Sequence, residues 1–161
     1  MTFEQILEQI KTVLTESVIT NIDEASSPKA IFIDASSLFS VMNLLHDNEN
    51  LYFDSLSCLT GLDNGEEAGT MEVIYNLYSI PFDHHLMVKV IVNRANPVLP
   101  TITSIWKTAD WQEREAYDML GIKFEDHPDL RRILMPADWD GYPLRKDYKE
   151  QEYYRGIKVD Y

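Results

Sequence analysis

Four ionisable side chains, Glu113, Arg114, Glu115 and Asp118, fall within six residues of the stretch DWQEREAYDMLGI, and His127 follows shortly after. Carboxylates at i and i+3 share one helical face, and with an imidazole they make a ligand set for a divalent metal. Glu115, Asp118 and His127 therefore define one chemical reading, a stand-alone metal-dependent enzyme. Two features oppose it. Arg114 lies on the same face and neutralises the acids, and no second E-x-x-H or H-E-x-x-H element exists to complete a site. The other histidines are scattered: His46, and the adjacent pair His84–His85, whose side chains point to opposite faces of a strand. His127 precedes Pro128 in an extended link, where an imidazole more often bonds backbone than metal.

The competing reading is an ionic network. At about 100° per residue, Trp111, Arg114, Glu115 and Asp118 share one face, while Glu113, Ala116, Tyr117 and Leu120 share the opposite one. Arg114 and Asp118 stand at i and i+4 and can pair. Such a network is either solvated or buried, with different consequences. Exposed ion pairs contribute about 0–1 kcal/mol, whereas breaking a buried pair costs roughly 3–5 kcal/mol and fixes geometry. Counter-charges are close in sequence at Arg131, Arg132, Arg145 and Lys146, and Trp106, Trp111 and Trp139 argue for burial.

The helix that carries these groups is framed by recognisable signals. Asp110 is placed to cap it, with Glu113 closing an acidic capping box, and Gly121 stands where a C-cap glycine belongs. A short helix is expected just before it, over TITSIW. Ahead of that, NRANPVLP reads as a crossover in which Pro97 and Pro100 break any strand. At the start of the chain, Phe3, Ile6, Leu7, Ile10, Val13 and Leu14 follow helical spacing, and Thr2 with Gln5 makes a capping box. AIFIDASSLFSVMNLLHDN predicts a strand, a turn and a second helix with Leu38, Val41, Met42 and Leu45 inward. LYFDSLSCLTG, MEVIYNLYSI and LMVKVIVN predict three consecutive strands in an antiparallel meander. The loop LDNGEEAGT between the first two should be exposed. The expected fold is α+β: a mostly antiparallel sheet covered by two N-terminal helices over residues 1–100, then a helical segment and an extended tail over residues 101–161. That tail, rich in aromatics and proline and ending in QEYYRGIKVDY with Tyr153, Tyr154 and Tyr161, seldom folds alone and has to lie on something.

Composition narrows the function classes. The 161 residues hold 27 acids and 14 bases, a net charge of −13. Only four bases stand in residues 1–106 against 14 acids, so a phosphate backbone would be repelled and nucleic-acid binding is not expected. Cys58 is the single cysteine, read as a small buried core residue; alone it cannot hold an iron–sulfur cluster or a structural zinc. The opening MTFEQILEQIKTVL is interrupted by Glu4, Glu8 and Lys11 and does not read as a signal peptide. No uncharged apolar run reaches the roughly 18 residues of a membrane span. No nucleophile elbow, phosphate loop or dinucleotide fingerprint is present.

EREAYDML followed by HPDLRRIL and GYPLRKDY resembles the thirty-kilodalton subunit of respiratory complex I, the NADH:quinone oxidoreductase, a subunit with an equivalent in photosynthetic NDH-1. The shared elements are Glu113-Arg114-Glu115, Asp118, Gly121, His127-Pro128, Leu130, Arg132-Ile133-Leu134 and residues 141–148, with SIWKTADWQERE before them. FDSLSCLTGLD, VIYNLYSI and LMVKVIVNRANPVLP resemble the family's sheet region, so the likeness runs over about residues 30–150. The resemblance implies a subunit of the peripheral arm that binds no cofactor itself. It would pack on the quinone-site large subunit and on iron–sulfur subunits, which hold the quinone and the clusters, at the cytoplasmic face of a bacterial cell membrane. The electron donor, NADH or ferredoxin, stays open. In that setting Glu113, Arg114, Glu115 and Asp118 hold the helix. His127, Arg131, Arg132, Arg145, Lys146 and Asp147 complete a structural or partner-docking network.

Overall fold

The computed structural model describes residues 1–159, apart from the side chain of Glu16. Helix α1 (Phe3–Val13) is closed at its start by the expected box: Thr2 Oγ1 accepts from Gln5 N, and Gln5 Oε1 accepts from Thr2 N. Ile6 and Ile10 enter the core, whereas Val13, expected on the same face, is exposed. Strand β1 (Ile19–Asp23), which the residue pattern did not suggest, precedes β2 (Ala30–Ile33) and α2 (Leu38–Asp47). The α2 residues Leu38, Val41, Met42 and Leu45 are all buried, as their spacing predicts.

Strands β3 (Ser55–Asp63), β4 (Thr70–Ser79) and β5 (His84–Asn93) form the expected antiparallel meander. The five-stranded sheet runs β1-β2-β5-β4-β3, and its one parallel contact is β2 on β5. Period-two alternation sorts the sheet into two faces. Met71, Val73, Tyr75 and Leu77 oppose Val92, Val90, Val88 and Leu86 on the inner face, all buried in one core with α1 and α2. His84 is buried and His85 exposed, so the adjacent pair does split across the sheet. The outer face, with Ile74, Asn76, Met87 and Lys89, is partly open.

Cys58 is exposed, against expectation. Strand β3 bulges between Leu56 and Cys58, so Ser57 and Cys58 both face out while Leu56 and Leu59 face in. Composition could not show that bulge.

The proline-containing crossover also differs from expectation. β6 (Val98–Pro100) pairs in parallel with β7 (Lys123–Glu125), a two-stranded ladder that brackets α3 (Ala109–Leu120). Pro97 and Pro100 are tolerated because Pro97 contributes only its carbonyl, which accepts from Lys123 N at 2.8 Å, while Thr101 N reaches Glu125 O at 2.9 Å. TITSIW is not a helix. It is a run of backbone turns, with Ile105 N and Trp106 N both donating to Ile102 O. The tail ends in a small antiparallel pair, β8 (Tyr153–Tyr154) and β9 (Ile157–Lys158).

Candidate functional site

Helix α3 packs over β3, and one glycine sets how closely. A Cβ on Gly61 would stand 2.5 Å from Leu120 Cδ1 and 3.0 Å from Ile122 Cδ1. Gln112 adds a polar tie, its Oε1 accepting from Leu59 N on the strand. The helix starts differently from expectation. Thr108 is the N-cap and makes no side-chain bond, while Asp110 lies inside the first turn. Ala109 N donates to Trp106 O, so the preceding turn already supplies the end of the helix. Glu113 closes no capping box. It turns inward, where Oε2 accepts from the Thr101 hydroxyl at 2.5 Å and Oε1 from Ile102 N at 2.9 Å.

The C-terminal end behaves as its glycine suggests: Gly121 has φ 76° and its N–H reaches Tyr117 O. Arg145 seals this end, its Nε donating to Leu120 O at 2.6 Å and its guanidinium lying over the Tyr142 ring.

Asp118 is the centre of the arrangement. Its Oδ2 accepts from the N–H groups of Ile133, Leu134 and Met135 at 3.0, 2.7 and 2.8 Å, and its Oδ1 accepts from Arg132 at 2.7 Å. Burial opposes its charge, but the Met135 N–H, Arg132 and the other two N–H groups outweigh burial and hold the carboxyl below the usual range. Arg132 also donates to the carbonyls of Asp118, Trp139 and Gly141. One buried acid and one arginine thus fix the tail across residues 132–141.

The expected Arg114–Asp118 pair does not form. Arg114 instead donates to the carbonyls of Arg131 and Arg132, at 3.2 and 3.4 Å, because Asp118 is fully engaged by the tail. Arg131 pairs with Asp129 in the open, and Glu115 is exposed. Lys146 donates through its backbone N–H to Asp63 Oδ2 at 2.8 Å and through Nζ to Asn64 O.

Asp63 and Arg94 complete the clamp and were missed. Arg94 bonds both oxygens of Asp63, at 2.8 and 3.0 Å, and reaches Asp147 at 2.5 Å. The guanidinium drives Asp63 far below the usual carboxylate range against the cost of burial, helped by the Lys146 and Gly65 N–H groups. Asp63, expected in an exposed loop, is buried at the end of β3; Glu66 and Glu67 are the exposed acids there. A faint sequence signal existed, since Arg94 is one of only four bases in residues 1–106. Nothing linked it to partners so distant along the chain.

His127 is not grouped with Glu115 and Asp118 as the metal reading expects. Its Nε2 donates to Asp110 O at 3.2 Å and its Nδ1 accepts from Asp129 N at 3.0 Å, so both ring nitrogens are held by backbone. It lies near Asp110 and Glu113, not Glu115 and Asp118. Among the described residues no three His, Cys, Asp or Glu side chains are grouped to hold a metal ion.

The comparisons with known proteins agree with this architecture. The family described as "Respiratory-chain NADH dehydrogenase, 30 Kd subunit" matches residues 31–154. The chain belongs to this family. A relative from Chloroherpeton thalassium, the C subunit of its NADH-quinone oxidoreductase, is 55% identical over 73% of this chain and 48% of its own length. The same subunit of Chlorobium phaeobacteroides is 48% identical over 73% of this chain and 70% of its own. That of Mycobacteroides abscessus is 34% identical over 99% of this chain and 72% of its own. This 30 Kd family member therefore spans about half the length of some relatives it matches. Among solved structures, the trypsin-resistant fragment (1-134) of Nqo5 has a TM-score of 0.65 at 27% identity, over 81% of this chain and 100% of that one. A protein of the archaeal membrane-bound sulfane sulfur reductase shares the fold, with TM-score 0.75 at 21% identity over 91% of this chain and 85% of its own.

Proposed function

We propose that the chain is a non-catalytic, cofactor-free peripheral-arm subunit of a proton-pumping NADH (or ferredoxin):quinone oxidoreductase. It scaffolds the quinone-site large subunit and the iron–sulfur subunits on the cytoplasmic face of a bacterial membrane. In this reading residues 101–161 are no independent domain but an appendage of the 1–100 sheet domain. Membrane contact comes only through the complex, in keeping with a chain in which no described helix is long and apolar enough to cross a bilayer.

The observation that carries the reading is where the charges go. Asp118, Arg132, Arg145, Asp147 and the Lys146 backbone are spent on holding the tail to its own chain. Among the side chains left facing outward are large apolar ones: Trp111 is 69% exposed, Leu134 60%, Leu144 61% and Ile157 70%. Large apolar side chains presented on a rigid, internally paired frame are what a partner surface needs. Of the two roles expected for the charged residues, structural or docking, these ties favour the structural one for Asp118, Arg132, Arg145 and Asp147. Tyr161, expected in the same tail, lies outside the described residues.

The test is mass spectrometry of what co-purifies with a tagged chain gently extracted from native membranes. Recovery with the quinone-site subunit is expected; recovery only as a free monomer overturns the reading.

A further inference from the structure

Two carboxylates of α3, five residues apart, are buried in opposite ways. Asp118 is surrounded by an arginine and three N–H groups and is built to carry charge. Glu113 is wholly buried, and among the described residues no lysine or arginine side chain bonds to it. The groups facing it are Asp110 from its own helix, His127 from the turn after β7 at 3.8 Å, Tyr75 from β4, and the Thr101–Thr103 turn. None of these brings a fixed positive charge.

The hydroxyls around Glu113 accommodate both of its protonation states. Thr101 Oγ1 lies 2.5 Å from Glu113 Oε2 and 3.0 Å from Thr103 Oγ1, and it has one hydrogen to give. With Glu113 protonated, its O–H donates to Thr101, which donates on to Thr103. With Glu113 ionised, the order reverses: Thr103 donates to Thr101 and Thr101 to the carboxylate. Every oxygen stays bonded either way, so burial and the nearby Asp110 decide the proton's place.

We propose that Glu113 is a proton-operated latch between α3 and the Thr101–Thr103 turn. Proton uptake seats the helix; proton release weakens its hold, and with it the hold of the tail that α3 anchors through Asp118. Burial, with the Asp110 charge adding to it, pushes the Glu113 carboxyl up to about 7, against the favourable bonds from Ile102 N–H and Thr101. The folded value exceeds the ordinary 4.5, so the stabilisation is complete below 4.5 and is lost as pH rises to about 7. Between those limits the folding equilibrium constant falls by at most roughly tenfold per pH unit relative to a chain without the group.

Three measurements on the full chain test this. Carboxyl ¹³C NMR should place the Glu113 midpoint near 7; a midpoint in the ordinary carboxylate range overturns the latch. Unfolding of wild type and Glu113→Gln, compared from pH 5 to 8, should show the wild type losing stability relative to the variant, while Glu115→Gln tracks wild type. Parallel curves for wild type and Glu113→Gln overturn it. Hydrogen-exchange protection of the Ile133, Leu134 and Met135 amides, corrected for intrinsic rate, should fall several-fold over the same range in wild type. Level protection breaks the link between the latch and the tail. If Glu113→Gln does not fold, the two wild-type measurements still decide. All three are independent of whether the chain assembles with partners.

Discussion

The meander and the C-terminal third are held by different physics. In β3, β4 and β5, alternate apolar side chains turn inward to one core, and any apolar residue of similar volume could serve. From Gly121 onward the chain has little such alternation. It is held by discrete polar ties aimed at backbone: Asp118 to three N–H groups, Arg132 to three carbonyls, Arg145 to the carbonyl of Leu120, and Asp63 to the N–H of Lys146. Packing tolerates exchange, whereas directed ties do not, because removing one partner leaves the other buried and unpaired. A tail fastened in this way leaves Leu134, Leu144 and Ile157 exposed.

Arg132→Ala should break this contrast most severely. It leaves the Asp118 carboxylate buried without its cation and strips the Trp139 and Gly141 carbonyls of their donor. The expected loss is about 3–5 kcal/mol in urea unfolding, with protease sensitivity appearing in the tail. By comparison Leu86→Met, a near-isosteric change in the sheet core, should cost less than about 1.5 kcal/mol. Equal losses at the two sites would end the distinction. Arg114→Ala, which strands no carboxylate, should cost only about 1 kcal/mol.

The junction between the regions is sensitive to a single methyl group. Gly61→Ala should lower stability by roughly 1–3 kcal/mol, since the Leu120 and Ile122 side chains must shift out of their packing to clear the added methyl. A melting temperature unchanged by the substitution would show that the helix is not pinned there.

Acid should loosen the tail side first. Asp63 and Asp118 both titrate below their ordinary values, so their contribution is full above the usual carboxylate range and is lost as pH falls through their depressed folded values. Asp118→Asn should flatten the acid limb of the stability curve and lower the plateau above it, without changing the slope above neutrality. The smallest stability effect is expected at Trp111→Ser. An exposed position should move unfolding by no more than about 0.5 kcal/mol, while recovery of the chain with its complex drops. Loss of folding with intact assembly would contradict the outward role given to that side chain.

Much of the fold was legible because it rests on short-range patterns. The Thr2–Gln5 box, the inward face of α2, the three meander strands and Gly121 each declare themselves within a few residues. β1 escapes notice because its alternation is weak and half exposed, and the β6–β7 ladder because its strands are three residues long and β6 follows Pro97 and ends on Pro100. Within the candidate site most of the residues were visible, Asp63 and Arg94 apart, and their pairing was not. Arg114 stood one turn from Asp118 and was its natural partner by helical spacing. Arg132, fourteen residues further on, took that place because it arrives with three backbone N–H groups beside it.

The sequence by itself determined that α1, α2, the three meander strands and α3 form, that the protein is acidic and holds a single cysteine, and that it carries the pattern of one family, since local propensity, composition and motif spacing need no fold to be read. Only the tertiary structure decided that Glu113 is buried without a cation, that Asp63, Arg94 and Asp147 meet, and that Cys58 faces out. Those outcomes depend on bulges, register and chain reversal, which bring together groups that no local rule connects.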